Sequence, residues 1–294
     1  MNLEIFLQYF INGLTYGAIY ALIALGFSVI YRTTEIINFA QGEFVMLGGM
    51  FMFTFTKICG LNLWLALILT ILTVSIIGII IQQLFIRPAI NSPLVSIIII
   101  TIGLSIAIQT TAMLLWGKNS LMLDHFSKIE TIKITDEIII ATQNIWILAI
   151  TIILMFILHY FFEKTMLGKA FSACASNPTA ASLMGINRNN MVLLSFFISA
   201  LLGGISGAIL CPLTNVNYHI GLSFGLKGFC AAICGGIGNN IGAILGGFML
   251  GIVQEVGAGV ISSGYKDAIA FVILIIFLVF KPSGILGQKW TKRV

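Results

Sequence analysis

Long apolar runs separated by short polar breaks dominate the chain. A helix that crosses a bilayer needs about 20 consecutive apolar residues. Runs of that order fall at 5–31, 38–57, 62–86, 94–116, 144–161, 190–211, 239–258 and 265–281. A further apolar stretch, 226–238, is shorter, and reads either as a thin span or as a re-entrant half-helix. Two polar loops remain, 117–143 and 162–189. Within the first, the alternation from Ile132 to Ile140 fits a short strand pair or a plain solvated connector. The pattern predicts an all-α, polytopic transmembrane helix bundle of eight or nine crossings with broken or short helices. Residues 1–294 form a single transmembrane domain in this reading.

Composition supports lipid as the solvent. Of the 294 residues 59% are hydrophobic and 9% charged, where a soluble domain carries about 25% charged. The 30 glycines fit too, because glycine is commoner in membrane helices than in soluble ones. The net charge of +5 does not indicate nucleic acid, since the basic residues are scattered and form no stripe. The five cysteines form no CxxC, and the three histidines show no ligand spacing, so no metal site is expected. Cys230 and Cys234 share a helical face and read as packing residues rather than as a reactive or metal-binding pair. The amino terminus carries Glu4 and no Lys or Arg before Arg32, unlike a signal peptide. Its apolar run is expected to stay as a first span.

Loop charges orient the bundle. Loop 162–189 carries Lys164, Lys169 and Arg188 against Glu163, a net +2. Loop 117–143 carries three lysines against Asp124, Glu130, Asp136 and Glu137, a net −1. The first is therefore expected in the cytoplasm and the second outside. The tail bearing Lys289, Lys292 and Arg293 is expected in the cytoplasm, and the amino terminus outside. That arrangement favours a crossing by 226–238.

No phosphate-binding GxxxxGK[ST] occurs, nor HExxH, GxSxG or a paired-carboxylate motif. An enzyme is therefore not expected. Polar residues inside the membrane are costly and point to function. Asn38, Gln41 and Glu43 interrupt an apolar stretch. Asn38 and Gln41 have capping-box spacing, so a helix is expected to start here, near or just inside the cytoplasmic surface, with Glu43 at its positive end. These three either cap a helix or line a pathway. Gly235, Gly236 and Gly238 break helicity between two apolar pieces and form a second candidate for the pathway. Glu43, Glu255 and Lys227 read as lying near span ends, with no charge at a span centre. Glycines spaced by four, such as Gly13 and Gly17, Gly203 and Gly207, Gly247 and Gly251, fit close helix packing or a subunit interface.

Loop 162–189 carries its own order. Residues 168–176 fit a short helix. Asn177 then caps a second helix with Pro178 at its first position, and Gly185 can close it in the left-handed conformation. Ala173, Ala180, Ala181, Leu183 and Met184 would give this pair a contact surface for a cytoplasmic partner.

With these motifs in order, the chain resembles the permease subunits of branched-chain amino acid ABC importers. The segment from Asn12 to Gly26 resembles the family's first helix, and Ile37 to Glu43 its following motif, with Gln41 where many members have His. Gly168, Lys169 and Ala170, then Asn177, Pro178, Ala181, Gly185 and Ile186, resemble the loop that docks on the ATPase. Cys234 to Gly238, followed by Gly242, Ala243, Gly246 and Gly247, resembles the late glycine motif. Tyr265 to Asp267 and Lys281 to Gly287 resemble the last helix and tail. Asn239 and Asn240 depart from the common pattern and leave the solute more open.

The resemblance implies a second permease, giving a heterodimer, two cytoplasmic ATPase subunits and an external solute-binding protein. ATP and Mg would be used by the partners, with no cofactor bound by this chain. It also implies a bacterial plasma (inner) membrane and alternating access. Rival readings are a related ABC permease for urea, amides or sugars, an ion-coupled secondary transporter, or a structural subunit. No inverted internal repeat is apparent in the sequence.

Overall fold

The computed structural model describes residues 3–90, 92–127, 129, 131–133 and 139–287. Helix α1 (Leu3–Thr34) is apolar on every face and lies at the centre of the bundle, with Ala18 to Leu25 almost wholly enclosed. Its 32 residues span about 48 Å, so it crosses a bilayer with tilt. Thr33 and Thr34 close it by donating their hydroxyls to the Ile30 carbonyl, at 3.1 and 2.7 Å.

Residues 35–40 then turn back into the bundle, and α2 (Gln41–Phe53) begins there and runs on as a π-helical turn, Thr54–Ile58. Helix α3 (Leu63–Ile81), capped by Asn62, continues through a π-helical turn and α4 (Arg87–Ala89). Helix α5 (Leu94–Trp116) leads to the polar loop. There β1 (Thr131–Lys133) pairs antiparallel with β2 (Ile139–Ala141), the short strand pair that the alternation admits. Its connection, with Asp136 and Glu137, lies outside the described residues, as do Lys128, Glu130 and the tail's Lys289, Lys292 and Arg293.

Helix α6 (Thr142–Lys164) is followed by α7 (Met166–Ser176) and α8 (Pro178–Leu183). Helix α9 (Arg188–Leu210) ends in an irregular segment, 211–219. Helices α10 (Ile220–Gly235) and α11 (Asn240–Val260) form an antiparallel hairpin, and α12 (Lys266–Phe280) closes the fold. Among the described residues seven helices are long and apolar enough to cross a membrane; α2 with its π turn and α10 are shorter. The stretch read as 226–238 is the second part of α10 and its turn, so that helix starts six residues earlier than the apolar run suggests.

Glycine sets the tightest approaches. A methyl on Gly13 would fall 2.7 Å from the Ile252 Cα, and one on Gly17 2.9 Å from the Phe248 Cα. The stripes Gly13/Gly17 of α1 and Gly247/Gly251 of α11 therefore face each other. In lipid, apolar burial gives helices little reason to associate, so close backbone contact supplies it.

One motif occurs twice with opposite sense. Helix α1 ends, the chain re-enters, and the short α2 leaves the interior in the direction opposite to α1. Helix α9 ends, 211–219 re-enters, and the short α10 leaves in the direction opposite to α9. The directions follow from neighbours. Phe44 and Gly49 of α2 pack on Gly203 and Gly207 of α9 in parallel. Tyr20 and Phe27 of α1 meet Phe224 and Phe229 of α10 in parallel order through tilted ring contacts, at 5.9 and 5.8 Å between centroids. Thr33 and Gly26 of α1 meet Ser195 and Ser199 of α9 in antiparallel order.

Candidate functional site

The start of α2 lies deep in the bundle. Gln41 sits beside Gly26 and Ser199. Gly26 is eight residues before the end of α1, which is about 12 Å along its axis. Of the two expected positions, near the surface or just inside it, the start takes the inner one: the chain re-enters before the helix forms.

The expected capping box is corrected. The N-cap is Ala40, and no side chain caps this helix. Asn38 instead accepts from the Ala40 amide through Oδ1 at 3.1 Å. Gln41 turns to α9, donating Nε2 to the Ser199 carbonyl at 3.2 Å. The Ser199 hydroxyl reaches both the Gly26 carbonyl, at 3.0 Å, and the Gln41 side-chain oxygen; its single proton serves one at a time. One residue group therefore joins α1, α2 and α9.

Glu43 is two residues further and 1% exposed. Ser105 of α5 donates its hydroxyl to Oε1 at 2.8 Å. The other oxygen faces the first turn of α10: a methyl on Gly221 would fall 2.5 Å from Oε2. Gly42 touches the same turn, its added methyl 2.8 Å from the Gly225 Cα. The two half-helices therefore begin against each other, with Glu43 between them. A helix N-terminus carries partial positive charge, so the carboxylate is placed where two such ends converge.

Lys227 is also interior. It lies midway along α10, buried, with its amine 2.6 Å from Asp267 of α12 and over the Phe224 ring. Glu255 is buried and receives Lys266 on both oxygens at 2.8 Å. The reading that Glu43 and Lys227 sit at span ends is thus corrected. Glu43 starts a helix, but that start is interior. The sequence signal that could have shown this is the shortness of both helices.

Gly235, Gly236 and Gly238 are not brought to this point. Gly235 ends α10, and Gly236 and Gly238 lie in the turn to α11, beside the end of α1. Gly236 and Gly238 have φ of 105° and 85°, which favours glycine. Gly238 faces the Tyr31 ring, and the tail covers the turn: Ile285 and Leu286 donate their amides to the carbonyls of Cys234 and Gly235 at 2.8 and 3.0 Å.

The helix pair α7–α8 forms as its residues imply. Thr165 accepts from the Gly168 amide at 3.0 Å, and Asn177 from those of Thr179 and Ala180 at 3.1 Å each. Pro178 is the first residue of α8. Gly185, at φ 84°, ends it: Ile186 and Gly185 donate to the Ala181 and Ser182 carbonyls at 3.0 Å each. Gly168 and Ala181 are buried, Ala170, Pro178 and Ile186 half-buried, and Lys169, Asn177 and Gly185 exposed. Ala181 therefore packs inward and is not part of an exposed face, whereas Leu183 and Met184 are 85% and 84% exposed.

This pair is tied to the core. Phe171 stacks edge-on against Phe162 at 5.1 Å. Arg32, near the end of α1, donates to the Ser172 hydroxyl at 3.1 Å and lies 5.7 Å over the Phe162 ring. Burial pushes the Cys174 thiol above its ordinary value, partly offset by the Arg188 guanidinium. Among the described residues no cluster suited to a metal ion occurs, and all five cysteines are free.

A polytopic bundle with two opposed half-helices meeting in its interior, and an ordered helix pair at one end, has the build of a membrane permease. Comparison of sequences makes this specific. Residues 9–278 match the family model described as branched-chain amino acid transport system / permease component, and the chain belongs to that family. It is 36% identical to the high-affinity branched-chain amino acid transport system permease protein BraD of Pseudomonas aeruginosa, over 98% of each chain. It is 34% identical to LivH of Escherichia coli, again over 98% of each. A probable branched-chain amino acid transport permease protein LivH of Methanocaldococcus jannaschii is 28% identical over 96% of this chain and 92% of the relative.

Proposed function

We propose that the chain is the permease subunit of an ABC importer that carries branched-chain amino acids into the cytoplasm. End-to-end similarity to permeases named for that transport supports the solute class. Separate ATPase subunits would use ATP and Mg, and a second permease and an external binding protein would complete the importer. The amino terminus would be outside and the described end of α12 inside a bacterial plasma membrane, as the loop charges favour.

The observation that carries the mechanism is the tie between α7–α8 and α1. Leu183 and Met184 offer an apolar tip for an ATPase groove. Gly168, Lys169, Ala170, Asn177, Pro178, Ala181, Gly185 and Ile186 build and hold that tip. Its movement would pull on Arg32 through Ser172. Helix α1 touches α2, α9, α10 and α11, so a shift there alters the contact between the half-helices. Asn38, Gln41 and Glu43 would then border the pathway as α2 and α10 part.

Gly185→Glu tests the reading. It forces a side chain into the left-handed region at an exposed site with nothing within 4 Å of an added Cβ. Normal membrane abundance is expected, with loss of both co-purifying ATPase and leucine uptake. Full uptake with ATPase retained would overturn the docking role.

A further inference from the structure

Two helix starts and one incompletely bonded carboxylate meet in the interior. Glu43 is 1% exposed and its Oε1 accepts from Ser105 at 2.8 Å. Among the described residues its Oε2 has no hydrogen-bond partner. That oxygen faces Gly221, in the first turn of the 16-residue α10. No side chain caps α10: its N-cap is His219, whose ring instead meets Gln109 at 2.8 Å. Among the described residues no side chain caps α2 either, but its Gln41 and Glu43 amides donate to the Asn38 and Ala40 carbonyls at 3.1 Å each, which leaves α10 as the open end. The Ile220 amide donates to the Asn217 carbonyl at 3.2 Å, and the amides that follow it in the first turn have no capping side chain; such amides and an aligned dipole form an anion-binding end.

A buried acceptor without a partner is costly. A simple cation would satisfy Glu43 and be repelled by the helix ends. A simple anion would satisfy the helix ends and be repelled by Glu43. A zwitterion with its charges about 3 Å apart satisfies both. We propose that Glu43 Oε2 and the uncapped first turn of α10 form a transient solute half-site, Glu43 taking the α-ammonium and the helix end the α-carboxylate of an amino acid. In the present conformation the half-site is shut by the contact of Gly42 with Gly221 and Gly225. It opens as α2 and α10 separate, and the apolar side chain of the solute is left to other surfaces. This rests on the amino acid permease reading above.

The test is leucine uptake by the complete importer, purified with its partners and reconstituted in proteoliposomes. Glu43→Gln keeps the length and the bond from Ser105 and removes the charge; Glu43→Asp keeps the charge and shortens the side chain. An ammonium contact puts Asp above Gln, with the Gln variant down about tenfold or more. Uptake by Gln equal to or above Asp, or unchanged in both, overturns the half-site and indicates a structural hydrogen bond. If both variants fail to assemble, a carbodiimide is reacted with wild-type importer during turnover and Glu43 is mapped by mass spectrometry. Labelling that leucine reduces and 4-methyl-2-oxopentanoate does not supports the half-site. Equal labelling in all three conditions, including none, overturns it. Wild-type importer that carries no branched-chain amino acid would instead sink the functional reading, which separates the two failures.

Discussion

Gly42 and Gly221 touch backbone to backbone where the two half-helices begin. A methyl on Gly42 would meet the Gly221 carbonyl oxygen and fall 2.8 Å from the Gly225 Cα. Both neighbours are main chain and cannot swing aside. Gly42→Ala is therefore expected to force α2 and α10 apart and cost about 1–3 kcal/mol. Gly103 of α5 is the control, since nothing lies within 4 Å of its added Cβ. Gly103→Ala is expected to be neutral or to stabilise by up to about 1 kcal/mol through helix propensity. Thermal unfolding of the detergent-solubilised chain measures both; equal stability of the two variants would contradict the contact.

Arg32 joins α1 to α7 through Ser172 and lies over Phe162. Loss of one hydrogen bond and one cation–π contact costs about 1–2 kcal/mol, too little to unfold a bundle of this size. Arg32→Ala is expected to leave membrane abundance near normal and to lower leucine uptake several-fold for each ATP hydrolysed. Measured uptake and hydrolysis on the same proteoliposomes decide it. An unchanged ratio would remove Arg32 from the transmission route.

Glu255 and Lys266 give a third expectation. The carboxylate is 3% exposed and both its oxygens accept from Lys266. Glu255 is buried but Lys266 is half-buried, so removing the lysine leaves a buried charge that is partly compensated by solvent, at about 1–3 kcal/mol. Lys266→Met alone is expected to destabilise by that order, whereas Lys266→Met with Glu255→Gln is expected to recover most of it. A double-mutant cycle in thermal stability reads the coupling. Additive losses would show that the pair is idle.

The bundle was legible in the sequence because spans of apolar residues have a length that lipid dictates. The caps of α8 were legible because Asn177, Pro178 and Gly185 act locally, within six residues of what they satisfy. The interior site was legible only in part. Asn38, Gln41 and Glu43 stood out as polar groups in an apolar stretch, but their depth depends on the re-entry of 35–40, which no local pattern encodes. Glu43 and Ser105 are 62 residues apart, and Gly42 and Gly221 meet only through tertiary packing. The inverted motif escaped for the same reason: α1–α2 and α9–α10 share geometry without shared residues. Gly235, Gly236 and Gly238 drew attention as a break in helicity, and a hairpin turn breaks helicity as well as a pathway does.

Cysteine accessibility tests the orientation together with the burial of α7. Cys59 follows the π turn of α2 and is exposed, whereas Cys174 of α7 is buried. With the amino terminus outside, Cys59 faces outward and Cys174 lies on the cytoplasmic side. A membrane-impermeant maleimide added to right-side-out vesicles at neutral pH is expected to label Cys59 and leave Cys174 untouched. Maleimides react with the thiolate. Burial raises the Cys174 pKa because it disfavours the charged form, and the nearby Arg188 only partly offsets this. In inside-out vesicles Cys174 is therefore expected to react slowly at neutral pH and faster as pH rises towards and beyond its raised pKa. Labelling of Cys59 only from inside-out vesicles would reverse the orientation. Fast labelling of Cys174 at neutral pH would show that α7 leaves the core in the membrane, a motion the tie to Arg32 and Phe162 opposes.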